Sequence, residues 1–345
     1  MSEREGSLVA AQDVEYVELY TNDEQSTLQY FVSSLGFTHV AESAGDGSHS
    51  SLVRQGTMQL VITAGRGTEA FLEAHGDGIA DIAFGCDDAA ETYRQAVSAG
   101  ASVVSSKPDR LAVSGFGDTC HTLVTRSANA GPPADRAWQP IAGAPTPTGH
   151  IRLLDHIAVC VESGSLADCT RFYADAFGLG KYSSEYIEVG DQAMDSIVVR
   201  SPSDGITFTI LEQDLTKKSG QVEAFLSRNG GAGVQHLAFL VDDIISAVRV
   251  FRGRGIEFLD TPDAYYDMLA ERLPGLERQI ADLRATDVLA DRDEWGYLLQ
   301  LFTRSPYKRN TMFCELVQRR GARGFGSANI NALYQAVERD ELADG

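Results

Sequence analysis

Three segments carry side chains able to do chemistry together. In LDHIAVCV, strand alternation puts His156 on one face with Leu154, Ala158 and Cys160; in VQHLAFLV, His236 shares a face with Val234, Ala238 and Leu240. In TMFCELVQRR, Glu315 interrupts an apolar run and shares a face with Phe313 and Val317. Taken singly, each has an ordinary explanation. A buried histidine is satisfied by a backbone partner, and a buried glutamate by an ion pair with Arg319, Arg320 or Arg323. Taken together, they are two imidazoles and one carboxylate, the set that holds Fe(II) on one octahedral face and leaves three positions open for substrate and oxygen. Zinc accepts the same donors, so residue types alone do not choose the metal.

The elements that must position these residues come in pairs. VEYVELYTNDEQSTLQYFVSSLGF near the start and LDHIAVCVESGSLADCTRFYADAFGLG in the middle both read as strand, turn, amphipathic helix and a closing Leu-Gly, with Leu28, Phe31, Val32 and Leu35 at helical spacing in the first copy. FLEAHGDGIADIAFGCDDAAETYRQAVSAGA matches FLSRNGGAGVQHLAFLVDDIISAVRVFRGRGI as helix end, glycine break, strand, Asp-Asp cap and helix. GDTCHTLVTRS and GYLLQLFTRS form a third pair, each expected to close its half with a strand. This alignment sets His156 opposite Tyr16 and His236 opposite Asp81, so the imidazoles belong to the second half alone. The expected fold is α+β, with two domains of paired βαβββ modules around curved, mainly antiparallel sheets. The first covers residues 1–145 and the second 150–345, with the Pro-, Gly- and Ala-rich stretch Ala130 to His150 as linker.

Composition narrows the function classes. With 29 basic and 49 acidic residues the formal charge is −20, which repels phosphate backbones and argues against a nucleic-acid partner. No window reaches the roughly 18 apolar residues of a membrane span, and the first residues lack the pattern of a secretory signal, so a cytoplasmic protein is expected. The five cysteines are scattered without a CxxC pair and read as reduced thiols.

At the motifs LLDHIAVCVESG, GAGVQHLAF, TPDAYYDML, GYLLQLFTRSP and FCELVQRRGARGFGSANINAL the sequence resembles the 4-hydroxyphenylpyruvate dioxygenase family over almost its whole length. The resemblance implies the vicinal oxygen chelate fold, a structural first domain, Fe(II) held by His156, His236 and Glu315, and 4-hydroxyphenylpyruvate and O2 as substrates, with a homo-oligomer possible. It also implies substrate-contacting roles for Ser196, Gln221 and Gln300, and aromatic walls at Phe302 and Phe325. Two activities share this scaffold: ring hydroxylation with side-chain migration gives homogentisate, and benzylic hydroxylation gives 4-hydroxymandelate for antibiotic biosynthesis. Ring-hydroxylating members carry Pro-Leu-Asn-Glu-Pro where this chain has Thr209-Ile210-Leu211-Glu212-Gln213, and Gly-Asn-Phe where it has Ala328-Asn329-Ile330. Thr209, Leu211 and Ile330 therefore point to the benzylic reaction; Gln213, where both groups have proline, is expected to matter little. Ile330, Leu333, Tyr334 and Val337 at i, i+3, i+4, i+7 predict a C-terminal helix over the pocket mouth.

Overall fold

The computed structural model describes residues 10–127, 131–273, 275–327 and 329–330, so the expected C-terminal helix beyond Ile330 lies outside the described residues. The first half supplies strands β1 (Ala11–Tyr20), β2 (Thr38–Gly45), β3 (Ser48–Gln55), β4 (Met58–Gly65), β5 (Gly78–Cys86), β6 (Val103–Lys107), β7 (Arg110–Ser114), β8 (Cys120–Thr125) and the short β9 (Gln139–Pro140). The second supplies β10 (Ile151–Val161), β11 (Gly180–Val189), β12 (Gln192–Arg200), β13 (Thr207–Gln213), β14 (Gly233–Val241), β15 (Leu289–Arg292), β16 (Tyr297–Phe302) and β17 (Phe313–Arg320). They form two curled sheets, ordered β6-β7-β8-β5-β1-β4-β3-β2-β9 and β11-β12-β13-β10-β14-β17-β16-β15.

Read in opposite directions, the two orders superimpose, so the repeat in the sequence is a repeat of topology. Hairpin neighbours run antiparallel, while β1 with β4, β5 with β8, β10 with β13 and β14 with β17 run parallel. The helices before β6 and β15 begin where expected, because Asp88 and Asp243 accept the backbone N–H of Glu91 and Ser246 as N-caps. Topology corrects one pairing: β8 corresponds to β17, and β16 to β7. GYLLQLFTRS thus does not close the second half; the strand bearing Glu315 does. The counterpart of Glu315 is Thr122, since Ala238 pairs with Glu315 and Phe84 with Leu123, one residue beyond Ala83 and Thr122.

The convex faces of both sheets share one core. Val17, Leu19, Ile157, Val159, Leu237 and Phe239 point into it beneath the helices, and rings meet across the halves at Phe37–Phe239 and Phe84–Phe208. The β10–β14 register slips at three places, and two of them flank the histidines. Between Leu154 and His156 the β10–β14 register slips by one residue at Asp155, and between Ala158 and Val159 it slips again at Gln235. Each β-bulge turns the preceding side chain to the other face. Leu154 and Val234 therefore join the convex core rather than sharing the histidines' face.

The first half's concave face is filled. Arg136, from the stretch expected to be a plain linker, reaches into it; its guanidinium donates to Glu18 at 2.8 and 3.1 Å and to Asp135. Arg110 sits 3.4 Å from the buried Asp81, and Trp138 packs on Tyr16, Ala41 and Leu52. The linker is thus also a plug, and β9 within it extends the first sheet along β2. Removing one partner of a buried ion pair typically costs roughly 3–5 kcal/mol. Arg136→Ala should therefore lower the unfolding free energy by about 3 kcal/mol in denaturant titrations, and Glu18→Gln in the same background should recover part of the loss.

Candidate active site

The second half's concave face is open. It encloses a cavity of about 980 Å³, within the range of small-molecule sites. Three adjacent strands, β10, β14 and β17, bring His156, His236 and Glu315 to it. Register explains the meeting: Ala238 pairs with His156 on one side and Glu315 on the other, and His236 is two residues along the same strand. Only a methyl group lies between the flanking pair. Glu315 Oε2 is 3.1 Å from His156 Nε2 and 3.2 Å from His236 Nε2, and donor atoms of the three lie within 4.8 Å of one another. Donors bound at roughly 2.1 Å to one ion at right angles lie about 3 Å apart, so the set fits a single cation.

The bulges do a second job. Asp155, the extra residue before His156, accepts from His156 Nδ1 at 2.9 Å, and Gln235, the extra residue before His236, accepts from its Nδ1 at 3.1 Å through Oε1. Fixing the proton on Nδ1 leaves each Nε2 lone pair aimed into the cavity, as a metal ligand requires. Asp155 is gripped by Arg319 through two hydrogen bonds of 2.8 and 2.6 Å. Arg319, one of the cations considered as a partner for Glu315, is thus committed to Asp155. Burial alone would raise the Asp155 carboxyl, but Arg319 and His156 hold it far below the usual range. Burial also opposes charge on Glu315, yet the two imidazoles bring it down to about 2. Against its own burial, His156 is pushed up to about 9 by Glu315 and Asp155, while burial holds His236 below its ordinary value. The metal-free centre is therefore a carboxylate paired with one imidazolium.

All eight residues expected around a substrate line the cavity: Ser196, Thr209, Leu211, Gln221, Gln300, Phe302, Phe325 and Ile330. Phe325 stands edge-on to His156 at 5.2 Å, and Phe302 edge-on to His236 at 6.0 Å, so one ring flanks each imidazole. Gln300 is buried beside Glu315, to which its Nε2 donates at 2.8 Å. Leu211 and Ile330 pack with Ile187, Met194, Phe225 and Cys160 in an apolar cluster separate from the main core. Gln213 is buried, and its amide donates to the carbonyls of Ala193 and Lys218, tying the turn before Gln221 to β12. Sequence reasoning placed Phe313 on the face of Glu315 but did not single out Ile187, Met194 and Phe225, which also line the cavity. Strand and helix periodicity could have placed them on the inner face, but only the curl of the sheet turns that face into a pocket wall.

Comparison with known proteins agrees with this geometry. Residues 8–132 match the hydroxyphenylpyruvate dioxygenase N-terminal family, and residues 153–301 the glyoxalase/bleomycin resistance protein/dioxygenase superfamily. A 4-hydroxyphenylpyruvate dioxygenase of Aspergillus fumigatus is 30% identical over 98% of this chain and 95% of its own length. One from Coccidioides posadasii is 32% identical over 96% and 93%. The chain belongs to the 4-hydroxyphenylpyruvate dioxygenase family. It is a dioxygenase with the two-domain vicinal oxygen chelate fold. Among solved structures, a triple mutant of 4-hydroxymandelate synthase from Streptomyces coelicolor superimposes with a TM-score of 0.90 at 49% identity, covering 96% of this chain and 99% of that one. Among the described residues, no helix is long and apolar enough to cross a membrane.

The charge state of the metal-free centre sets a pH dependence. Below about pH 9 His156 carries a proton that a metal ion must displace. Uptake of a divalent cation at pH 7 should therefore release close to one proton per ion, and release should fade as pH passes 9. Affinity should drop about tenfold for each pH unit below that. Calorimetric titration in two buffers of different ionisation enthalpy measures the release directly.

Proposed function

We propose that this dioxygenase is a 4-hydroxymandelate synthase, converting 4-hydroxyphenylpyruvate and O2 to 4-hydroxymandelate and CO2 with Fe(II) held by His156, His236 and Glu315. The observation that carries the reading is the apolar wall: Leu211 and Ile330 line the cavity and pack on a cluster that includes Ile187, Met194 and Phe225. His156, His236 and Glu315 would hold the ferrous ion, which would supply the oxidising chemistry when bound. The chain's part is to orient the ring and exclude water. Phe325 and Phe302 flank the imidazoles and grip the arene between them. Ser196 and Gln221 offer polar contacts from β12 and the helix Gln221–Asn229. Thr209 and Leu211 project from β13, on the same inner face.

An amide in place of Leu211 would hold the phenol end by hydrogen bonding, and an aromatic ring in place of Ile330 would give it a flat wall. Without either, the ring tilts and presents its benzylic carbon to the oxidant. Displacements near 1 Å alter rates by roughly a hundredfold, so two wall residues suffice to redirect the outcome. The first domain, whose concave face is filled by Arg136 and Trp138, serves as a scaffold. The names of the relatives at about 30% identity favour a second reading, a dioxygenase forming homogentisate.

Anaerobic loading with Fe(II), followed by 4-hydroxyphenylpyruvate and oxygen, separates the two by chromatography and mass. 4-Hydroxymandelate is the expected product, and homogentisate as the main product would refute the assignment. The double variant Leu211→Asn, Ile330→Phe should move the product ratio toward homogentisate by at least tenfold.

A further inference from the structure

Gln300 has more partners than a substrate contact needs. Both Nε2 hydrogens are engaged, one by Glu315 Oε1 at 2.8 Å and the other by the Phe325 carbonyl at 3.2 Å. Its Oε1 accepts from Asn329 Nδ2 at 3.0 Å. Asn329 Oδ1 in turn lies 2.8 Å from the Tyr265 hydroxyl, whose one hydrogen is shared between it and the Ala290 carbonyl, also at 2.8 Å. The tyrosine oxygen accepts from the Ala290 backbone N–H at 2.8 Å, so the chain of bonds ends on β15. Gln300, Asn329 and Tyr265 are all buried.

The direction of every bond follows from the carboxylate. Ionised Glu315 only accepts, so Gln300 must turn its NH2 toward it and its oxygen away. Asn329 must then present its own NH2, which turns its oxygen toward the Tyr265 hydroxyl, a donor it shares with the Ala290 carbonyl. Turning either amide over would set two acceptors, or two donors, face to face in a buried site. Backbone geometry supports the same alignment. Gly326, at φ +74°, lies so close to Gln300 that a β-carbon there would sit 2.0 Å from Oε1. Its carbonyl accepts from the backbone N–H groups of Asn329 and Ile330 at 2.9 and 3.1 Å. The turn bearing Ile330 therefore starts directly on the amide that holds the metal ligand.

We propose that Asn329 and Tyr265 are positioning residues for the metal centre, acting through Gln300 to fix which oxygen of Glu315 faces the two imidazoles. The relay holds Oε1 outward and leaves Oε2 beside both Nε2 atoms. It also joins the wall residue Ile330 to the ligand set, so pocket shape and metal geometry are set by one connected group. This inference rests on the reading of His156, His236 and Glu315 as the ligands.

The test is a double-mutant cycle read by Co(II) titration, with the cation's visible absorption bands reporting both Kd and ligand geometry, and with no substrate present. Partners of metal ligands typically contribute 10–100-fold in affinity. Asn329→Ala should weaken Co(II) binding about tenfold and shift the bands. Tyr265→Phe, which keeps the ring's packing, should weaken it by a smaller factor. In a Gln300→Ala background neither substitution should change the Kd further. Equal losses in both backgrounds, or no loss in the native background, would overturn the relay. If Asn329→Ala does not fold, Tyr265→Phe completes the same cycle. His156→Ala is the control: continued Co(II) binding by that variant would overturn the ligand assignment itself, whereas its loss alongside an additive cycle would overturn only the relay.

Discussion

An ionised carboxylate at 1% exposure has to be compensated, and the second half of this protein is organised around that requirement. Glu315 lies on β17 between Phe313 and Cys314 on one side and Leu316 and Val317 on the other, and burial alone would drive its carboxyl upward. Two imidazoles, the Gln300 amide and, when bound, a cation reverse this. Each compensating group needs its own support: Asp155 for His156, Gln235 for His236, Arg319 for Asp155. Arg319 also donates to the Gly324 carbonyl at 2.7 Å and stacks on Phe325, so the support of one ligand shapes the pocket wall. Charge compensation at one atom thus reaches outward through three strands and the segment after β17.

The grouping of His156, His236 and Glu315 and the two-domain architecture were legible in the sequence because both are written as patterns: polar residues where an apolar strand face should continue, and a repeat of strands and caps. The bulges were not. Alternation puts Leu154 and Val234 on the histidines' face, whereas an extra residue at Asp155 and at Gln235 turns both toward the convex core. A bulge leaves no composition signal, because the inserted residue is an ordinary polar one. Yet it is this insertion that brings an acceptor next to each imidazole. The pairing of β16 with β8 failed for a related reason. Similar short strands ending in Thr-Arg-Ser look alike in sequence, and only hydrogen-bonding order shows that β17 holds the equivalent place. Arg136 and Trp138 were hidden differently, since a Pro- and Gly-rich stretch reads as a connection whether or not two of its side chains turn inward.

The same topology is used twice with opposite results. At the positions of His156, His236 and Glu315 the first half has Tyr16, Asp81 and Thr122, and Asp81 accepts from the backbone N–H of Thr122 at 2.9 Å. Among the described residues those side chains form no metal-binding group. The cavity is instead occupied by Arg110, Arg136 and their carboxylates. Both solutions answer one problem: curling a sheet of this size leaves a hollow that apolar strand residues alone do not fill. One half closes it with buried ion pairs, and the other keeps it open and lines it for a ligand.

Family membership constrains the metal centre more tightly than the product. The ligand set depends on registers of three central strands, and a change at Ala238 or either bulge would dismantle it. The wall depends on single side chains at Leu211 and Ile330, which can change with little effect on the sheet, since both sit partly buried against a small cluster separate from the main core. One scaffold therefore hosts two outcomes at low structural cost. Relatives about 30% identical carry the name of one activity, and a structural neighbour 49% identical carries the name of the other. In the proposed function the wall would decide between them by setting the ring's tilt relative to a centre that is otherwise the same. Asn329 complicates this division: it is adjacent to Ile330 and bonded to Gln300, so the turn that carries Ile330 is anchored beside Glu315. Under the proposed function, a residue exchanged at position 330 would act on the ring directly and, through its neighbour Asn329 and Gln300, on Glu315.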